Sequence, residues 1–198
     1  MPLTTEGILV RFEFQTHDGR AYALRRVMPT DTERLYEFMC GLSERTRWRR
    51  FMTQRPFSDD VARLEAARVL ADSADDHVSL IVTETHGATE VAVALAELAC
   101  DRSSDTGEIA VVVRDDWQRK GIGTFLLGQL VRIAHEGGLA YLRADLFADN
   151  YPMRRLLYAL GLPSTTTNYR GELSWVARLP PRILGEIIRP LAEPVEVD

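Results

Sequence analysis

One segment limits what this chain can fold into more than any other. Val111-Val112-Val113 ends in the polar run Arg114-Asp115-Asp116-Trp117-Gln118-Arg119-Lys120, and Gly121-Ile122-Gly123-Thr124 then opens an apolar helical pattern. A β-branched run of this kind suits a buried strand. The glycines let the backbone turn so that several N–H groups converge, and the first helical turn adds unpaired donors and the positive end of its dipole. Strand, loop and helix together predict a cradle for an anion. Arg119 and Lys120 place positive charge beside it, and Ile122 and Thr124 contribute backbone of the first turn.

The glycine spacing separates three kinds of phosphate site. A nucleotide P-loop has Lys directly after its second glycine, whereas Lys120 precedes both. The dinucleotide pattern wants a third glycine at position 126, where Leu126 stands. The remaining pattern is Gln/Arg-x-x-Gly-x-Gly/Ala, met by Gln118, Gly121 and Gly123. Downstream, a strand at Ala140 to Phe147 precedes Asn150-Tyr151-Pro152-Met153, and this helix ends in Leu160-Gly161-Leu162. These two segments resemble the signatures of the GNAT superfamily of N-acetyltransferases, whose first signature holds the pyrophosphate of coenzyme A. They span residues 108–162. From about Leu24 to Gly161 the chain looks most like the acetyltransferase domains of bacterial protein lysine acetyltransferases. That softer likeness is carried by Arg25 to Asp31, Leu42 to Thr46, Arg50-Phe51, Glu108 to Gly123 and Asn150 to Met153.

The rest of the chain reads as a single domain over residues 1–198. Ile8 to Gln15 and Ala21 to Val27 flank the turn Asp18-Gly19 and predict a hairpin within 8–27. Thr30-Asp31-Thr32-Glu33 reads as a capping box before a helical stripe of Leu35, Tyr36, Met39 and Leu42. Ser43 and Ser58 read as caps of two further helices, the second running from about Asp59 to Ala71 with Val61, Leu64, Ala67 and Ala71 broadly on one face. An acidic loop at 72–76 leads to strands at Val78 to Thr85 and Val91 to Ala99, then at Glu108 to Val113. The helix from Gly121 stops at Gly137-Gly138, and Glu172 to Leu179 is the last strand. Ile183 to Leu191 reads as an amphipathic turn or two, and 192–198 as a mobile tail. The expected fold is α+β, an α/β sandwich. The resemblance implies a mixed, mostly antiparallel sheet, splayed at its centre, with helices on both faces.

Composition excludes some partners. A net charge of −5 without a basic face argues against nucleic acid, and no apolar run reaches the ~20 residues of a membrane span. Cys40 and Cys100 lack metal-ligand spacing and read as reduced thiols of a cytoplasmic protein. No His spacing suggests a metal. The N-terminus shows no signal-peptide pattern, and at this length no fused acyl-CoA synthetase or cyclic-nucleotide domain is expected.

The resemblance implies acetyl transfer from acetyl-CoA to an amine. An alkylammonium with a pKa near ~10.4 must lose a proton before it attacks. Glu108 is the expected base. It starts the strand that runs into the cradle, and five steps of ~3.3 Å put it roughly 16 Å from Val113, about the reach of the pantetheine arm. Glu97 on the preceding strand, or a chain of waters, is the alternative. The resemblance assigns the backbone N–H groups of Val111 and Val113 to the thioester, and Asn150 either to the pantetheine or to a helix N-cap. The Tyr that many relatives use as acid falls at Leu157 here, so Tyr158, one step on, is the candidate acid. Arg45, Arg47, Arg49 and Arg50 around Trp48 read either as an acceptor surface or as a solvated face with packed stems. Two other functions stay open: a small-molecule or antibiotic N-acetyltransferase, and an acyl-CoA-binding sensor without catalysis.

Overall fold

The computed structural model describes residues 11–16, 18–52, 57–71 and 76–180. The first part of the predicted hairpin strand, most of the acidic loop, the amphipathic turn at 183–191 and the tail at 192–198 lie outside them.

Eight strands form one sheet: β1 (Phe12–Gln15), β2 (Ala21–Arg26), β3 (His77–His86), β4 (Thr89–Asp101), β5 (Thr106–Val113), β6 (Tyr141–Phe147), β7 (Ser164–Tyr169) and β8 (Glu172–Arg178). Their order is β1-β2-β3-β4-β5-β6-β8-β7, and every pairing is antiparallel except β5 with β6. The five helices of the described residues are α1 (Thr32–Cys40), α2 (Glu44–Phe51), α3 (Asp59–Ala71), α4 (Ile122–Glu136) and α5 (Tyr151–Ala159). The fold is therefore the mixed, mostly antiparallel α+β sandwich that the resemblance implied.

Strand alternation builds two cores from the same sheet. Leu80 and Val82 of β3, with Ala94, Ala96 and Leu98 of β4, face the larger core shared with α4 and α5. Ile81, Leu95 and Val112 face the smaller one under α1 and α3. The largest apolar contribution comes from α4, which buries Ile122, Phe125, Leu126, Leu127, Leu130, Val131, Ile133 and Ala134. Gly107 sits where β5 meets β6. A Cβ there would lie 2.6 Å from Leu98 Cδ1 and 2.8 Å from Leu139 Cδ1, so only glycine lets the core close. No helix among the described residues is long and apolar enough to cross a membrane.

Three local expectations are corrected. The turn into α1 is closed by Asp31, whose Oδ2 accepts the Met28 N–H at 2.8 Å, rather than by a Thr30–Glu33 box. On α3 the buried residues are Ala62, Ala66 and Val69, while Leu64 is 67% exposed. Small side chains at i, i+4 and i+7 let α3 pack into the core of α1, and that close approach outweighs the larger Leu. The strand β7, Ser-Thr-Thr-Thr-Asn-Tyr, is exposed along its whole length and shows no apolar alternation. Its register with β8 makes it a strand.

A buried ion cluster ties α1 to the sheet. Arg25 of β2 forks onto Asp31 at 2.6 and 2.8 Å and reaches Glu90 of β4 at 3.2 Å, and Arg34 of α1 also pairs with Asp31. Burial opposes ionisation of Asp31, but bonds from Arg25, Met28 and Arg34 outweigh it and its carboxyl is held below the usual range. We expect Asp31→Asn to lower stability by about 3–5 kcal/mol in urea denaturation, since it removes the buried carboxylate that both Arg25 and Arg34 pair with and leaves Arg25 only Glu90. A carboxyl depressed on folding stabilises fully above its unfolded value of ~3.9 and loses that effect as pH falls through the folded value. The gap between wild type and variant should therefore be full above about pH 5 and narrow below about pH 4.

Candidate active site

The site begins where two strands part. Strand β5 pairs with β6 only at Thr106–Tyr141, Gly107–Leu142 and Glu108–Arg143. Beyond Glu108, β5 follows β4 to Val113 while β6 follows β8 to Phe147. The gap exposes one edge of β5. Arg114 donates its N–H to the Val93 carbonyl of β4, and strand N–H groups alternate sides. The N–H groups of Ala110 and Val112 therefore face β4, and those of Val111 and Val113 face the gap.

The loop at the far end of β5 is pinned on both sides. Asp115 accepts the Ser43 N–H at 3.0 Å, Ser43 Oγ at 2.8 Å and Thr46 Oγ1 at 2.9 Å. Those bonds and desolvation compete at its carboxyl, and the bonds win, so its pKa is lowered. Trp117 donates Nε1–H to Glu84 Oε2 of β3 at 2.7 Å, with the Arg114 guanidinium over its ring. Gln118 donates from Nε2 to the Val113 carbonyl at 3.0 Å, holding the loop against the end of β5.

The cradle then forms from backbone. Arg119 has φ +62° and Gly121 φ +89°, the left-handed region that suits glycine. No side chain caps α4, whose first bond is Phe125 N–H to the Gly121 carbonyl at 3.0 Å. The N–H groups of Ile122, Gly123 and Thr124 thus precede the first intrahelical donor, with the positive dipole end behind them. Gly123 also serves packing, since a Cβ there would lie 3.2 Å from Leu156 Cδ1 of α5. Arg119 is exposed, while Lys120 Nζ sits 3.1 Å from Asp18 in the β1–β2 turn. The Thr16 hydroxyl, followed by Lys120, draws the Asp18 carboxyl down to about 2.

A cleft of about 330 Å³ fills the mouth of the gap. Its floor is β5 from Glu108 to Val111 with Glu97 of β4, and its roof is α2 and α3. Helix α2 spans the gap. At β4, Arg50 pairs with Glu97; at β6, Trp48 stacks on Phe147 at 4.1 Å and 9°. Of the arginine cluster, Arg45 is exposed, Arg47 lies over Phe57, and Arg49 Nη2 donates to the Asp149 carbonyl at 3.3 Å. Most of that cluster therefore makes specific contacts rather than forming a solvated face.

The two candidate carboxylates have opposite surroundings. Glu97 is 4% exposed and meets Arg50, Arg68 and His77. Desolvation raises its pKa, but the His77 bond and the two arginines outweigh this and hold it near about 2. A carboxylate so stabilised as an anion is a poor proton acceptor. Glu108 is exposed to the cleft and enters no ion pair or hydrogen bond among the described residues. Asn150 lines the same cleft and caps α5, its Oδ1 accepting the Met153 N–H at 3.4 Å. Tyr158 is not brought to it. That side chain is 54% exposed, next to Thr166 and Arg154, and its pKa is lowered by bonds to both. Leu157, at the position of the expected Tyr, is buried in the core.

Sequence reading did not find Arg68, His77, Glu84 or Asp115 as parts of this site. The available signal was Glu97 itself, a lone carboxylate in the apolar run Val91 to Ala99. Its partners come from α2, α3 and β3, and no local pattern joins them.

Known proteins resemble this chain in sequence and fold. The chain is 32% identical over 148 residues to the acetyltransferase Pat of Mycolicibacterium smegmatis, covering 74% of this chain but 43% of Pat, so it spans less than half of that relative. The GNAT domain of S. lividans PAT superposes with a TM-score of 0.73 at 21% identity, covering 85% of this chain and 97% of that one. A Salmonella typhimurium protein, yncA, solved with its cofactor acetyl-CoA, shares the fold at a TM-score of 0.60 and 21% identity, over 82% of this chain and 96% of that one. The family model for the acetyltransferase (GNAT) domain matches residues 22–163, which include the parted strands, the cradle and the cleft. On that match, this protein belongs to the GNAT family of acetyltransferase domains.

Proposed function

We propose that the protein transfers the acetyl group of acetyl-CoA to a primary amine, with a protein lysine as the acceptor class and Glu108 as general base. The observation that carries this reading is the position of Glu108. It is a carboxylate without an ion pair or hydrogen bond among the described residues, at the point where β5 and β6 separate, on the strand that ends in the cradle.

The residues present suit acetyl-CoA. The uncapped start of α4, with Gly121 in the left-handed region, suits a pyrophosphate. Gln118 holds the loop to β5, and Arg119, Lys120, Ile122, Gly123 and Thr124 complete the cradle. For Lys120 this entails exchange of Asp18 for phosphate. Asn150, at the other wall, is suited to the pantetheine. Acetyl-CoA supplies the activated acyl group as a thioester.

The protein's own groups meet the remaining demands. Glu108 accepts the proton that the acceptor ammonium must lose, a service worth ~10²–10⁴-fold. The Val111 and Val113 N–H groups face the gap and suit an oxygen that gains negative charge, each such donor contributing ~10²–10³-fold. The amine nitrogen gains the acyl carbon and gives its second proton to solvent, the carbon–sulfur bond breaks, and solvent protonates the sulfur. Tyr158 has no part in this scheme. A lysine acceptor is supported by the resemblance of residues 24–161 to protein lysine acetyltransferase domains and by the cleft. At about 330 Å³ it sits at the lower end of the ~300–1,000 Å³ of ligand pockets, which suits one aminoalkyl chain better than a multi-ring amine.

Glu108→Gln should lower kcat by ~10²–10⁴-fold in a thiol-release assay, with the acetyl-CoA dissociation constant held within about twofold. Full turnover would remove Glu108 from the reaction. Gly121→Val forces a β-branched side chain into a left-handed backbone beside the phosphate site. Calorimetry should show at least about tenfold weaker acetyl-CoA binding, with circular dichroism reporting whether the fold is kept. Unchanged affinity would refute the cradle.

A further inference from the structure

The cleft beside Glu108 is lined by three guanidinium groups with different partners. Arg50 and Arg68 both pair with Glu97, and Arg68 also pairs with Glu65. Of the remaining carboxylates, Asp145 pairs with Arg143 at 2.5 Å. Arg49 has no carboxylate within ion-pair reach among the described residues. Its one hydrogen bond there is from Nη2 to the Asp149 carbonyl, and its Nε is shut off from solvent with no hydrogen-bond partner among the described residues. Among the described residues this leaves two charged groups of the cleft outside ion pairs, Arg49 and Glu108, the latter feeling Arg143 across the β5–β6 ladder at longer range.

Several guanidinium nitrogens of this structure are buried without an acceptor, but among these arginines Arg49 is the one that lines the cleft, where its remaining donors can take a further acceptor. A carboxylate on the incoming acceptor would give Arg49 the planar, forked partner that a guanidinium binds best. Glu108, in the same cleft, faces the amine. Opposite charges at two points of one small site favour a molecule that carries the opposite pair and disfavour one that leaves Arg49 desolvated and unmatched.

We propose that Arg49 is a specificity-determining residue that receives an acceptor carboxylate, so that the preferred substrate is a primary amine with a carboxylate close to it on the same molecule. This rests on the acetyl-transfer reading above. The carboxylate has two sources, an acidic residue flanking a protein lysine or the α-carboxylate of an amino acid.

Two matched pairs of acceptors separate these sources and test the idea. One pair is end-blocked pentapeptides with a central lysine flanked by glutamates or by glutamines. The other is Nα-acetyl-lysine and its carboxamide. With the wild-type chain, thiol release should show a kcat/KM about 10-fold higher for the carboxylate member of at least one pair, and the pair that shows it names the source. Arg49→Gln should bring that ratio to about one by raising the acceptor KM rather than the acetyl-CoA KM, and Arg49→Lys should restore part of it. A wild-type ratio near one in both pairs overturns the proposal and leaves acetyl transfer intact, and this needs no variant to fold. A ratio that survives Arg49→Gln, with a raised acetyl-CoA KM, also overturns it and assigns Arg49 to the cofactor. Release from none of the four acceptors removes the acetyl-transfer reading and this proposal together.

Discussion

The site depends on the early separation of β5 from β6. Two neighbouring strands that stay paired leave no backbone donor free and no space between them. Here the ladder stops at Glu108–Arg143. Each partner strand goes on with its other neighbour, β5 with β4 and β6 with β8, so the sheet is not weakened where it opens. The gap turns the inner edge of β5 into a row of N–H donors and sets Glu108 at its apex. Gly107 lets the strands meet just before they part, since any Cβ there would strike Leu98 and Leu139.

An opening in a sheet needs bracing, and α2 supplies it. The helix is anchored on β4 through Arg50 and Glu97 and on β6 through Trp48 and Phe147. Its first turn is held by Asp115, which belongs to the loop that leads into the cradle. The same short helix therefore roofs the cleft and touches the loop between β5 and α4. The charge arrangement follows from this bracing. Glu97 is held by ion pairs that reach α2, α3 and β3, whereas Glu108 makes no ion pair or hydrogen bond among the described residues.

Legibility in the sequence varied with the range of the interactions involved. The cradle was readable because glycine spacing, strand composition and helix start are all local. The two-sided sandwich followed from strands with apolar runs and helices between them. The face of α3 was misread because Leu64 outranks Ala62 and Ala66 in hydrophobicity, while closeness to α1 favours the smaller side chains. The strand β7 was missed because its residues bury nothing and only its pairing with β8 gives it regular structure.

What the chain determined by itself was the family, the strand–loop–helix with its uncapped glycine start, and the presence of a carboxylate at the start of the central strand. Each of these depends on residues within one strand–loop–helix unit, where backbone preference and spacing act directly. What tertiary structure decided was which carboxylate is free. Glu97 and Glu108 are eleven positions apart on adjacent strands and equal as side chains. Arg50, Arg68 and His77 reach only one of them, from three elements brought together by folding. The energy of a charge depends on its neighbours within a few ångströms, and those neighbours are a property of the fold.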